Sequence, residues 1–163
     1  ITLERHGFIL NNTLADFHPD PAHRNAPRPG AAPLSNMSPT LLYEGAEVSS
    51  TRLIAVVGAA GGPLIPQAVT QFLKNFFDSG LSAKESVRTP RVALDESGTV
   101  TLEKSAGPKV LEGLKKSGFP VETTDTIWAV FQGAVRRTPL AKWEGVSDPR
   151  YDGLAYASTS RKR

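Results

Sequence analysis

Residues 52–62 constrain this chain more than any other stretch. Leu53-Ile54-Ala55-Val56-Val57 is almost continuously apolar, so it reads as a strand buried on both faces. The chain then runs through Gly58-Ala59-Ala60-Gly61-Gly62-Pro63. Beyond the turn, Ile65, Ala68, Val69, Phe72, Leu73, Phe76 and Phe77 follow the i, i+3, i+4, i+7 spacing of a helix with one apolar stripe. Pro63 and Pro66 fit only the first turn of that helix, and Gly80 stops it. A buried strand, a glycine turn and an amphipathic helix require a sheet with a helix packed on it. At 163 residues the chain is one domain's worth of sequence, with enough material for a core.

The other elements fit a mixed α/β domain over residues 1–163. Residues 8–10 read as a short strand leading into Asn11-Asn12-Thr13-Leu14-Ala15-Asp16-Phe17. Residues 18–33 hold Pro19, Pro21, Pro27, Pro29 and Pro33, which neither a helix nor a central strand tolerates, so this is a long loop lying over one end of the domain. Residues 40–43 read as a strand. Ser82-Ala83-Lys84-Glu85 is a capping box that opens a short helix ended by Pro90. Residues 91–94 and 99–103 read as strands about a Glu96-Ser97-Gly98 turn, and residues 109–116 as a short amphipathic helix. Strands are expected at 126–131 and 140–143, with a turn at 147–150.

Composition removes several classes of chemistry. The absence of cysteine excludes disulfides, thiolate zinc sites, iron–sulfur clusters and a cysteine nucleophile. A net charge of +3 without a clustered, aromatic-studded basic face argues against nucleic-acid binding. No apolar run is long enough to cross a bilayer. His6, His18 and His23 lack metal-ligand spacing, so no metal or cofactor is expected.

Three places could carry chemistry. In a strand–Gly61-Gly62–helix turn, backbone N–H groups point outward with a helix N-terminus behind them, which favours a phosphate or an oxyanion. No Gly-Lys-Ser/Thr follows, so it is not a P-loop, and a plain tight turn is the alternative. In Pro33-Leu34-Ser35-Asn36-Met37-Ser38-Pro39, short polar side chains in a rigid frame suit a carboxylate, or an ordinary loop. After the first strand, Asp16 suits a substrate ammonium group, or a turn cap.

In this order, the pieces resemble the C-terminal part of the small subunit of the γ-glutamyltranspeptidase family. The matching run is Gly7-Phe8-Ile9-Leu10-Asn11-Asn12, Asp16-Phe17, residues 33–40, Val57 to Gly62 with the following helix, Thr89-Pro90-Arg91, and Ser147-Asp148-Pro149-Arg150. The resemblance implies an α+β fold, part of the four-layer αββα sandwich of N-terminal nucleophile hydrolases. It implies self-cleavage of a precursor to expose a threonine, which attacks a γ-glutamyl amide such as glutathione. The acyl-enzyme then passes to water or to an amino acid or peptide amine.

Carried over by residue, Asp16 matches the aspartate for the glutamyl α-amino group, with Asn12 and Thr13 beside it. Ser35 and Asn36 match the serine pair that holds the α-carboxylate. Gly61 and Gly62 match the oxyanion hole. The 18–33 stretch corresponds to a loop that covers the substrate pocket in some members. Thr13 stands where the family has Glu or Gln, Asn36 where it has a second serine, Ala31-Ala32 where Lys-Arg is common, and Ala60 where proline is common. These departures leave open an acylase for another donor, of the glutaryl or cephalosporin type. A truncated, non-catalytic binding protein is also open. In the family the nucleophile precedes the strand containing Leu10, so residues 1–163 alone are expected to be inactive. They are expected to need the nucleophile-bearing segment and a large subunit as partners. Localisation implied by the resemblance is periplasmic or secreted.

Overall fold

The computed structural model of the chain describes residues 2–3, 7–9, 11–45 and 50–156. His6 and Leu10 therefore lie outside the described residues. Residues 1–35 and 36–163 form two compact units.

In the first unit, β1 (Thr2–Leu3) pairs antiparallel with β2 (Phe8–Ile9), and a 3-10 turn follows at Thr13–Asp16. Residues 18–33 contain neither helix nor strand, as the five prolines dictate. The loop is nonetheless well tied. The Ala22 N–H donates to Asp20 Oδ1 (2.9 Å), the Ala26 N–H to the His23 carbonyl (2.9 Å), and the His18 and His23 rings stack with centroids 4.0 Å apart.

Among the described residues, the second unit contains two sheets. The larger has the order β3 (Thr40–Glu44), β4 (Arg52–Ala60), β8 (Val130–Val135), β9 (Glu144–Ser147), antiparallel throughout. The smaller joins β5 (Val92–Leu94) and β6 (Val100–Glu103) antiparallel, and β6 and β7 (Val121–Thr124) in parallel. A parallel pair needs a crossover, and α3 (Pro108–Lys116) lies in it. Helix α1 (Ile65–Leu73) follows β4 and continues into a π-helical turn, Lys74–Asp78. Helix α2 (Ala83–Arg88) opens on the expected capping box: the Glu85 N–H donates to Ser82 Oγ (3.2 Å), and the Ser82 N–H to Glu85 Oε2 (2.9 Å).

The core forms where α1 covers one face of the larger sheet. Ile65, Ala68, Val69 and Phe72 are the buried stripe of α1. Ile65, Val69 and Phe72 form one core cluster with Ala55 and Val57 of β4, Phe131 and Val135 of β8, and Val146 of β9. Phe72 and Phe131 stack with centroids 4.0 Å apart. Phe131 is fully buried, so Phe131→Ala is expected to destabilise the fold by about 3–5 kcal/mol. Denaturant titration should show this as a lower midpoint with an unchanged slope.

The opposite face of this sheet carries Leu41 (56% exposed), Tyr43 (53%) and Val56 (41%). Beside them lie the small residues Gly58, Ala60 and Ala134. Apolar strand residues on both faces are the mark of a sheet packed on both sides.

Two strands fall elsewhere than the sequence suggests. Residues 126–131 contribute to a strand only from Val130. Before that, the Ile127 N–H and C=O go to the side chains of Glu103 and Arg91, and the Ala129 N–H closes onto the Ile127 carbonyl. These backbone groups are therefore not used in a ladder. Residues 140–143 form a turn, with the Ala141 N–H donating to the Thr138 carbonyl and Leu140 97% exposed. The strand is Glu144–Ser147, because pairing there with β8 buries Val146.

Candidate active site

The expected site residues fall in both units. The first unit holds Asn12, Thr13, Asp16 and Ser35; the second holds Asn36, Gly61 and Gly62.

In the first unit, a local hydrogen bond sets the turn that carries Asp16. The Thr13 N–H donates to Asn11 Oδ1 (3.1 Å), and the Ala15 N–H to the Asn12 carbonyl (3.0 Å). Asn12, Thr13 and Asp16 are all exposed. Asn25, which sequence reasoning missed, ties this turn to the end of the loop. Its Nδ2 donates to the Asp16 carbonyl (2.8 Å), and its Oδ1 accepts from the Leu34 N–H (3.1 Å). One amide side chain thus brings the Asp16 carbonyl and the Leu34 N–H together across seventeen intervening positions. An asparagine in a Pro-rich loop gives no periodic signal, so nothing in the sequence singled it out.

In the second unit, Gly61 ends β4 with φ 143°, and Gly62 opens a 3-10 turn with φ 58° that feeds α1. The Leu64 N–H closes this turn onto the Gly61 carbonyl (3.2 Å). Among the described residues, none accepts from the Gly61 or Gly62 N–H. Gly61 has no room for a side chain: a Cβ would lie 2.6 Å from the Trp128 carbonyl oxygen and 2.8 Å from Ala129 Cα. Gly62 faces open space. The arrangement gives two adjacent donors at the head of a helix, with the 127–131 segment beneath them. Such donors suit a localised negative charge, above all one that develops during acyl transfer.

That supporting segment is itself held by a buried ionic network, which joins the Thr89-Pro90-Arg91 and Ser147-Asp148-Pro149-Arg150 motifs. Arg91 pairs with Asp148 and donates to the Ile127 carbonyl (3.2 Å). Asp148 Oδ2 also accepts from the Phe131 N–H (3.0 Å). Arg150 makes two bonds to Glu103 (2.8 and 2.6 Å) and reaches Asp148 Oδ1 (3.3 Å) and the carbonyls of Val87 (2.9 Å) and Thr89 (3.1 Å). Glu103 accepts in addition from the Arg91 and Ile127 N–H groups (both 2.9 Å). Both ends of the segment under Gly61 are therefore fixed by charged side chains, and every described buried side-chain polar atom has a partner.

Burial pushes the Glu103 carboxyl up, but the Arg150 guanidinium and the two backbone N–H groups outweigh it, leaving it below its ordinary value of 4.5. A carboxylate lowered in the folded state stabilises fully above its unfolded pKa and loses that contribution as pH falls through the folded value. Stability should therefore hold above about pH 4.5 and fall below it. Thermal melts across this range should show the acid-side slope reduced in Glu103→Gln, which is less stable at neutral pH.

The sequence profile of the gamma-glutamyltranspeptidase family matches residues 1–158. The glutathione hydrolase proenzyme of Bacillus subtilis is 26% identical over 163 residues, covering all of this chain and 27% of that protein. The oxamate amidohydrolase proenzyme of Klebsiella pneumoniae is 28% identical over 162 residues, covering 95% of this chain and 30% of its own length. The chain thus spans about a quarter of the curated relatives it matches. Among solved structures, the gamma-glutamyltranspeptidase of Pseudomonas nitroreducens complexed with L-DON superposes with a TM-score of 0.79. It has 26% identity, and the match covers 98% of this chain and 86% of that one.

Proposed function

The chain belongs to the gamma-glutamyltranspeptidase family, and from that premise we propose that it supplies the glutamyl-binding residues and the oxyanion hole of a γ-glutamyl transferase or hydrolase. The observation that carries this reading is the Gly61–Gly62 turn. Its two N–H groups have no acceptor among the described residues and lie just before α1, with Trp128 and Ala129 packed against Gly61. When a hydroxyl attacks a γ-glutamyl carbonyl, the carbonyl oxygen gains negative charge, and donors already in place stabilise it without reorganising.

The remaining roles follow from charge. Asp16 takes the α-ammonium group of the glutamyl moiety, with Asn12 and Thr13 at its side. Ser35 and Asn36 donate to the α-carboxylate. Asn25 keeps the Asp16 turn and the Pro33–Leu34 peptide at a fixed spacing. The nucleophile is a threonine outside residues 1–163, whose own α-amino group serves as its base. The bare sheet face of Leu41, Tyr43 and Val56 packs against the second sheet of the sandwich, contributed by the rest of the small subunit and the large subunit. Residues 1–163 alone are therefore inactive. The assembled enzyme works in the periplasm or outside the cell, as the family resemblance implies.

Thr13 and Asn36 favour a second reading, in which the acyl donor lacks the α-amino group. The oxamate amidohydrolase among the relatives bears out that the family's named substrates vary. Turnover of L-γ-glutamyl-p-nitroanilide and glutaryl-p-nitroanilide by the whole enzyme separates the two. The first reading expects faster release from the γ-glutamyl compound. It also expects Asp16→Asn to raise KM for that compound by about tenfold or more while leaving the glutaryl KM alone. Faster glutaryl turnover, indifferent to Asp16→Asn, would establish the second.

A further inference from the structure

Two glutamine side chains fasten helix α1 to the edge strand β5 of the smaller sheet. Gln67 Oε1 accepts from the Leu94 N–H (2.8 Å), and its Nε2 donates to the Leu94 carbonyl (3.0 Å). One helical turn later, Gln71 Oε1 accepts from the Val92 N–H (3.2 Å), and its Nε2 donates to the Val92 carbonyl. The fit is one of matched repeats. Four helical residues rise about 6 Å and two strand residues span about 7 Å, so side chains at i and i+4 meet alternate strand residues. The residues flanking Val92 and Leu94 bond the other way, into β6 and its turn: the Glu103 N–H donates to the Arg91 carbonyl (3.0 Å), and the Asp95 N–H to the Thr99 carbonyl (3.1 Å). Each amide therefore stands in for a residue of a neighbouring strand. A carboxylate of the same length would lack the donor.

We infer that Gln67 is a positioning residue for the proposed reaction: it sets the head of α1, and with it the Gly61–Gly62 turn, against β5. The role rests on the proposed function and adds a side chain that acts through the turn and does not touch the substrate.

Three observations carry it. First, residues 63–66 have apolar side chains, so Gln67 is the first residue past the glycine pair whose side chain can hold the helix head by a directed bond. Second, β5 also fixes the floor of the turn. Arg91, the residue before β5, pairs with Asp148 and donates to the Ile127 carbonyl (3.2 Å). Helix head and floor are thus both held to the same short strand. Third, the bond that closes the turn, from the Leu64 N–H to the Gly61 carbonyl (3.2 Å), joins it directly to the first residues of α1. The direction of the glycine N–H groups therefore follows the helix head, and donors aimed at a developing charge lose most of their effect when they are displaced.

Gln67→Glu keeps the reach and removes the donor. At neutral pH the new carboxylate faces the Leu94 carbonyl; once protonated it again offers one donor and one acceptor, and the clasp reforms. In the whole enzyme, kcat for the γ-glutamyl anilide should fall about tenfold relative to wild type at about pH 8, with KM within about twofold, and the ratio should recover toward about pH 5. Gln67→Met, uncharged and of similar length, should show the same loss without the recovery. Gln71→Glu breaks the equivalent bonds nine positions past Gly62. It should lower the denaturation midpoint as much as Gln67→Glu does, yet keep kcat within about twofold. Hydrogen exchange reads the turn without any turnover. The Leu64 amide should exchange about tenfold faster than in wild type in Gln67→Glu at about pH 8, approach wild type at about pH 5, and stay protected in Gln71→Glu. If the anilide is not turned over but exchange follows this pattern, Gln67 still sets the turn and the proposed reaction falls. The positioning role is overturned if Leu64 protection is unchanged in Gln67→Glu, if an active enzyme keeps its kcat in that variant, or if Gln71→Glu behaves alike. The clasp is then a seal on a strand edge and nothing more.

Discussion

Gly61→Ala is expected to lower kcat by about 10²–10³-fold with little change in KM, because it displaces a donor needed only as charge develops on the carbonyl oxygen. The cause is steric. The new Cβ would sit 2.6 Å from the Trp128 carbonyl oxygen and 2.8 Å from Ala129 Cα, both backbone atoms of a segment held at Ile127 by Arg91 and Glu103 and at Phe131 by Asp148. Neither neighbour can give way cheaply, so the turn itself must move. Its φ of 143° adds strain for any L side chain. Gly62→Ala makes a contrast. Its Cβ meets nothing within 4 Å, and only its φ of 58° opposes the change, at about 1–2 kcal/mol. The Gly62 variant should lose some stability and keep much of its rate. Measuring kcat and KM for both variants on a γ-glutamyl anilide checks the ordering.

The second large effect concerns stability. Arg150→Met removes one cation from a site where Glu103 and Asp148 are both nearly inaccessible to water. Asp148 keeps Arg91 as its partner, but Glu103 retains only two backbone N–H donors. Breaking a buried pair from one side costs about 3–5 kcal/mol, much of it the desolvation of the charge left behind. Chemical denaturation should report a loss of that size. Because Glu103 holds Ile127, the remaining folded protein should also show a looser Gly61 turn, seen as faster amide exchange across residues 127–131. A lysine at position 150 should rescue poorly, since a point charge cannot reproduce the guanidinium's bonds to Glu103, Asp148 and two carbonyls.

The parts of the fold that were legible in the sequence are those fixed by local chemistry. Helix α1 announced itself by the spacing of Ile65, Ala68, Val69 and Phe72, and α2 by Ser82 and Glu85. The strand before Gly61 was read correctly in kind, although it extends to Ala60. Strand β7 was missed because Val121-Glu122-Thr123-Thr124 carries one apolar residue; the parallel neighbour β6, distant in sequence, makes it a strand. Residues 126–129 look like strand by composition, but distant charged side chains take their backbone bonds.

The same reason hides half of the candidate site. A glycine pair after a buried strand offers either an anion site or a plain tight turn on local grounds, and the family resemblance favours the first. The support beneath it comes from Arg91, Glu103, Asp148 and Arg150, which lie up to 59 positions apart and look in the sequence like ordinary surface charges. Two of the motifs that contain them were visible only through family resemblance, without a role attached. Asn25 was hidden likewise, since its worth lies in two bonds that the loop closes across space.

The most direct test of the account is to trap the acyl-enzyme. The whole enzyme is mixed with L-γ-glutamyl-p-nitroanilide, quenched in acid within the burst phase, and its subunits are weighed by intact mass spectrometry. The account predicts a small subunit heavier by one glutamyl acyl group on an N-terminal threonine, with the adduct strongly reduced in Gly61→Ala. A burst of nitroaniline with no acylated threonine, or an adduct undiminished by Gly61→Ala, would contradict the assignment of the Gly61–Gly62 turn as the oxyanion site.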